Sequence, residues 1–352
     1  MEHDFNFIIT GIGSVPFLEI RDSCAEIQRL FPDMPFWPQF VKRSLYEDMI
    51  IQFSEGLPFL KIIKEKRSLV AERGDNFEKG LLGFYENFLA DKLEPFSISY
   101  EFAPGLYEML ELSEGSNDRF IKGQSVGPIT FAASINDEEG RTIINDIELM
   151  DVYTKGIAIK GLWQVKKLKE SGKLPVIFFD EPYLSSIGSA FSTVSRDQVV
   201  NALKEVVEYI KERENVLIGI HCCGNTDWSM IIEVGPDIIS FDAFNYIDHF
   251  FLYKDMILNF IRGGGVLAWG IVPTTDADFE HGGEEEPLFL KLKDAILEMN
   301  KWGLDLELIC KKSLLTPSCG MGTMQEGNAK RALLLLSNLS KRLSLAFDLK
   351  KV

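Results

Sequence analysis

Short apolar runs recur eight times along this chain, each followed by a longer stretch with helical spacing. The runs are Phe7–Gly11, Phe96–Phe102, Phe120–Gln124, Leu174–Asp180, Val216–His221, Ile238–Asp242, Gly265–Gly270 and Leu308–Leu315. Strand followed by helix, repeated, is the pattern of βα units around a parallel sheet. Eight units predict an α/β chain closed into a (β/α)8 barrel, whose chemistry sits at the C-terminal ends of the strands. Arg196–Glu214 and Glu326–Leu345 carry apolar residues three and four apart, as the outer helices of such a barrel do. A chain of 352 residues, 46% of them hydrophobic, can bury a core of that size. The interval from Phe17 to Glu94 is longer than a minimal barrel needs. It holds a Pro- and aromatic-rich stretch (Phe31–Phe40) and two amphipathic patterns, Phe40–Phe53 and Asn76–Leu93. We read residues 1–352 as one barrel domain, with residues 17–95 as an N-terminal helical extension inserted near the barrel mouth.

Charge and composition remove several function classes. A formal net charge of -16 is the wrong sign for a phosphate backbone, which recruits clustered positive charge. No apolar run approaches the roughly 18 residues a membrane helix requires, and Met1-Glu2-His3-Asp4 lacks the basic start of a secretory signal. The expectation is a cytoplasmic protein acting on a small molecule. Five cysteines form no regular framework, so reduced thiols or metal ligands fit better than a disulfide scaffold. Gly263-Gly264-Gly265 precedes a strand, lacks the strand-then-helix setting of a phosphate loop, and reads as a turn.

The strand ends carry the candidate chemistry. Val216–His221 ends in His221-Cys222-Cys223-Gly224, and residues two apart on a strand share a face. His221 and Cys223 therefore point the same way, while Cys222 points oppositely. Cys319, in Pro317-Ser318-Cys319-Gly320, follows the last run. Imidazole and two thiolates are ligands zinc prefers, and three protein ligands leave the open position of a catalytic site. The plainer alternative is a buried histidine with two small apolar cysteines; Cys24 and Cys310 read as core in either case. Asp242 ends the next strand and suits three roles: fourth ligand, orienter of a ligand histidine, or helix N-cap. Asp180-Glu181-Pro182 brings two carboxylates to the same face, either to bind a substrate ammonium or move a proton, or to close the rim as an ion pair. Ile12-Gly13-Ser14 and Gly123–Pro128 offer backbone for close contact with a small substrate, or simply tight βα turns.

Taken together, Ile12-Gly13-Ser14, Gly127-Pro128-Ile129-Thr130, Asp180-Glu181-Pro182, His221-x-Cys223 and Cys319-Gly320 resemble the catalytic barrel of cobalamin-independent methionine synthase and its relatives in the uroporphyrinogen decarboxylase-like superfamily. The match is spread over nearly the whole chain. His221–Thr226, with Val234-Gly235-Pro236-Asp237 after it, also resembles the zinc methyltransferases that methylate coenzyme M from corrinoid proteins. Both branches methylate a thiol on zinc. The resemblance places the zinc ligands on His221, Cys223 and Cys319, with Asp242 where the methionine synthases have a glutamate. It places Asp180, Glu181 and the backbone of Ile12, Gly13 and Ser14 around the thiol substrate. Gln39 stands where the family's glutamate holds the homocysteine ammonium, and Ala268-Trp269-Gly270-Ile271 lacks the family's histidine after the seventh strand.

The resemblance thus implies a zinc-dependent S-methyltransferase acting on a thiol such as homocysteine or coenzyme M. The short chain and the missing histidine favour a methyl-corrinoid donor, either methylcobalamin or a corrinoid protein docking as a partner. The rival readings are a metal-free lyase of the uroporphyrinogen decarboxylase type and a non-catalytic thiol- or corrinoid-binding barrel.

Overall fold

The computed structural model describes residues 3–188 and 193–347. Its centre is a curled, wholly parallel sheet of six strands: β1 (Phe120–Val126), β2 (Leu174–Asp180), β3 (Leu217–Cys222), β4 (Ile238–Phe241), β5 (Val266–Val272) and β6 (Ser313–Pro317). The strands lie side by side in chain order, and long helices such as Ile147–Lys169, Arg196–Lys211 and Glu326–Ala346 connect or follow them. Both faces of the sheet are covered, so β5 reads as an unbroken apolar run, and β2 and β4 as apolar runs with one polar residue each, rather than as alternation. Side chains of one parity, among them Val176, Phe178, Ile238, Ala268 and Leu314, form a compact cluster inside the curl, while the larger cluster lies between sheet and helices.

The regular sheet has six strands, not the eight expected. Phe7–Gly11 contributes only a single bridge, Ile9 to Leu315. Asn6 and Phe7 just before it are left-handed, with φ of 48° and 63°, which interrupts an extended run. Its backbone still bonds to the edge strand β6 through Phe7 N–H to Ser313 O, Thr10 N–H to Leu315 O and Leu315 N–H to Ile8 O. Phe96–Phe102 is not a strand: Glu94–Phe96 is a 3-10 turn with Pro95 at its start, and the Glu55 carboxylate takes the Ser99 N–H. Beside β1 runs residues 33–40 instead, with Lys122 N–H bonded to Pro35 O and Trp37 N–H to Lys122 O. Pro35 and Pro38 lack donors, which confines that pairing to isolated bonds. Ser14–Val15 and Gln39–Phe40 pair with each other in parallel. The last expected strand starts late, because Asp305 caps a helix over Leu306–Lys311 before β6 begins at Ser313.

In the interval from Phe17 to Glu94, the expected helix over Phe40–Phe53 is two short pieces, Leu45–Glu47 and Met49–Gln52, capped separately by Ser44 and Asp48. The second pattern forms the helix Phe77–Leu89. A small sheet of Leu60–Ile63, Ser68–Ala71 and Asn136–Asp137 lies outside any expectation from the sequence. Among the described residues no helix is long and apolar enough to cross a membrane.

Candidate metal centre

One register row crosses the sheet interior: Val126 pairs with Asp180, Asp180 with His221, and His221 with Ser240. Paired residues of parallel strands face the same side, so Asp180, His221 and Ser240 are neighbours inside the curl. Cys223 follows β3, where Glu181 N–H bonds to His221 O at 2.8 Å. Cys319 follows β6, and its approach depends on a glycine. A Cβ on Gly270 would lie 2.5 Å from Phe241 O and 2.9 Å from Ser318 Cα, so only glycine lets the Ser318–Cys319 backbone cross the end of β5. Ser318 N–H then bonds to Val272 O at 2.8 Å.

The ligand atoms of His221, Cys223 and Cys319 all lie within 4.8 Å of one another. His221 is buried and the two cysteines are half-buried. His221 Nδ1 is 2.9 Å from Ser240 Oγ, whereas Nε2 is buried with no hydrogen-bond partner among the described residues. The hydrogen bond from Cys319, with help from His221, holds the Cys223 thiol well down; the same bond to Cys223, together with burial, pushes Cys319 up. An imidazole with an unpartnered nitrogen beside two cysteine sulfurs is a donor set that can hold a metal ion such as zinc.

Asp180 faces this group. Burial raises its carboxyl to about 6, against the pull of Lys122 and His221, and its Oδ1 has no hydrogen-bond partner among the described residues. Glu181, by contrast, is engaged. It accepts from Ile129 N–H (2.9 Å), Thr130 N–H (2.7 Å) and Thr130 Oγ1 (2.6 Å), fastening the first turn of the helix Pro128–Ala133, while burial raises it to about 7. Asp242 caps the helix Ala243–Phe251, accepting from Asn245 N–H at 2.9 Å and from Asn245 Nδ2 at 2.8 Å.

The Ile12–Ser14 segment meets the site from the other side. Ser14 O accepts from Met321 N–H at 2.9 Å and Ser14 Oγ from Gly322 N–H at 3.3 Å, so Ser14 pins the turn that follows Cys319. Gly13 abuts Gln39 and Gln124 with no room for a Cβ. The Gln39 amide donates to Gln52 Oε1 at 2.6 Å, and Gln52 donates to Phe102 O.

Two site residues escaped the sequence reading. Lys122, fully buried on β1, donates to Ile12 O and, at 3.1 Å, to Gln124 Oε1, with its ammonium 4.7 Å from the centre of the Phe178 ring. Burial pushes it down to about 7. Ser240 is the other. For Ser240 the available signal was a polar residue within an otherwise apolar strand; Lys122 shares its strand with Gln124 and Ser125 and does not stand out in that way.

No protein-family model matches this chain, and no curated protein does. Among solved structures, the chain superposes on the putative vitamin-B12 independent methionine synthase from Listeria monocytogenes with a TM-score of 0.55 and 12% identity, covering 92% of this chain and 85% of that one. A Xaa-Pro dipeptidase with methionine bound in its active site aligns at a TM-score of 0.28 with 12% identity over 70% of this chain and 65% of that one, too low to carry an argument. With its strands in chain order and long helices outside them, this chain shares the fold of that structure over most of its length.

Proposed function

We propose that the protein is a zinc-dependent S-methyltransferase that methylates a small thiol. The observation that carries this reading is the convergence of a His221 ring nitrogen, Cys223 Sγ and Cys319 Sγ within 4.8 Å of one another at the C-terminal ends of the strands. A bound zinc ion would supply one coordination position open to the substrate sulfur and would favour that sulfur as thiolate. The residues around it do the rest. His221, Cys223 and Cys319 hold the ion, with Asp242 as a reserve carboxylate. Asp180 offers an unengaged Oδ1 to the remainder of the thiol substrate, and Ile12, Gly13 and Ser14 line the same side with backbone. Gln39, an amide, presents no negative charge there. Glu181 acts through the helix it fastens, not on the substrate. Fixing the thiol in this way supplies the proximity and alignment that an in-line methyl displacement requires. The donor in this reading is a methyl-corrinoid arriving from solution or on a partner protein.

The same reading takes the chain as one closed (β/α)8 barrel. Residues 5–15 and 33–40 stand in for its first two strands, and the rest of residues 17–95 is inserted near its mouth. The backbone bonds donated by Phe7, Thr10, Trp37 and Gln39 and accepted by Pro35, which run between the two edges of the six-stranded sheet, support it.

The experiment is metal analysis of protein purified without added metal, for wild type, Cys223→Ser and Cys319→Ser. One zinc per chain, lost in both variants while circular dichroism is unchanged, is the expected result; thiols are then screened with methylcobalamin. A wild type that neither contains nor takes up zinc would overturn the proposal and return the metal-free lyase to the front.

A further inference from the structure

Ser240 is a hydroxyl where the fold has no need of one. It lies in β4 between Ile239 and Phe241, fully buried, and the hydrogen bond described for its Oγ is the one to His221 Nδ1 at 2.9 Å. A buried hydroxyl is costly without such a partner. The two residues are register partners on adjacent strands, so the backbone fixes their separation and a loop movement cannot undo it. Because Nε2 is buried without a hydrogen-bond partner among the described residues, the contact at Nδ1 is the one that sets where the ring's proton resides.

Building on the zinc reading above, we infer that Ser240 is the positioning residue of the centre. Its oxygen accepts the Nδ1 proton and holds the ring so that the Nε2 lone pair faces Cys223 and Cys319. The sequence offered Asp242 for this orienting role, but the hydrogen bonds of the Asp242 carboxylate run to Asn245, and the one at His221 Nδ1 runs to Ser240. A neutral hydroxyl orients the ring without adding charge, so the negative charge of the three-residue ligand set comes from its two sulfurs alone. Ligand-orienting groups of this kind are worth about 10–100-fold in metal affinity.

The test is zinc affinity, measured by competition with a chromophoric chelator, in wild type, Ser240→Ala, Ser240→Thr and Thr316→Val. Thr316 is also buried and its Oγ1 has no hydrogen-bond partner among the described residues, so Thr316→Val controls for loss of interior polarity alone. Ser240→Ala should bind zinc about 10–100-fold more weakly, Ser240→Thr should recover part of the loss, and Thr316→Val should match wild type. Nitrogen-15 NMR of the histidines in zinc-loaded wild type gives a check that needs no variant: His221 should carry its proton on Nδ1. Equal affinity in Ser240→Ala and wild type, or a proton on Nε2 in the loaded protein, overturns the role of Ser240 while leaving the zinc reading intact. A wild type that binds no zinc overturns both.

Discussion

Replacing Asp180 by asparagine should make the metal-free protein more stable, and by an amount that depends on pH. The side chain keeps its shape and loses only the ability to ionise. Asp180 is 5% exposed, and its Oδ1 has no partner among the described residues. Burial lifts the carboxyl from its ordinary 3.8 to about 6. At ~1.4 kcal/mol per tenfold change in proton affinity, holding the ionised form costs the fold about 3 kcal/mol. The sign follows from proton counting. Between the two values the folded state binds more protons than the unfolded chain, so wild-type stability falls as pH rises through that window, and the full cost is present above about 6. Asparagine escapes it. The difference between variant and wild type should be small near the lower value, grow through the window, and level off at ~2–3 kcal/mol in neutral solution.

Urea unfolding followed by the fluorescence of the five tryptophans, at about pH 5 and about pH 8, reads this directly. A variant less stable than wild type at the higher pH, or a gain equal at both, would refute the reasoning. The functional counterpart is retained zinc with turnover reduced about 100-fold or more, since stability given up at one buried group is commonly the cost of activity there.

Other substitutions probe the supports of the centre. A Cβ on Gly320 would lie 2.2 Å from Ser14 Oγ, so Gly320→Ala should displace the turn holding Cys319, weaken zinc uptake in chelator competition, and cost ~1–3 kcal/mol in urea unfolding. Gly270→Ala meets backbone on two sides and should be more damaging, with ~3 kcal/mol or more lost and zinc content reduced. Away from the site, burial pushes Lys160 down to about 7 while it donates to Phe96 O. The unfolded chain keeps that proton to a higher pH, so wild-type stability rises with pH above about 7. Lys160→Met should therefore stabilise by ~2–4 kcal/mol at or below neutrality, with the gain shrinking towards about pH 10 in the same urea assay.

What could be read from the sequence was what two-sided burial writes into it. Strands β2 to β5 are legible because a strand covered on both faces must be apolar along most of its length, and Leu174–Asp180 coincides with its expected bounds. His221-x-Cys223 is legible because a strand repeats every two residues. The misses have equally physical causes. Phe96, Ile98, Tyr100 and Phe102 alternate like a strand, yet a 3-10 turn at Pro95 and the Glu55 carboxylate use up the backbone there. Leu308–Leu315 joins the end of a helix to the start of a strand, and a short apolar run does not distinguish them. Residues 33–40 pair beside β1 despite two prolines, through bonds that only tertiary structure selects.

The placement of the centre follows from the same packing. Asp180, His221 and Ser240 occupy adjacent positions of one register row. A slip of one residue would turn all three outward together with Val176, Phe178 and Ile238, which fill the interior. The apolar layer therefore fixes the polar one, and no separate interaction is required to bring the carboxylate, the imidazole and the hydroxyl together. Cys319 is the exception. It lies beyond the last paired residue of β6 and depends on the close approach at Gly270 and on the two bonds to Ser14. Its position, unlike that of His221, is set outside the register row, so damage to Ser14 or Gly320 should reach the metal before it reaches the fold.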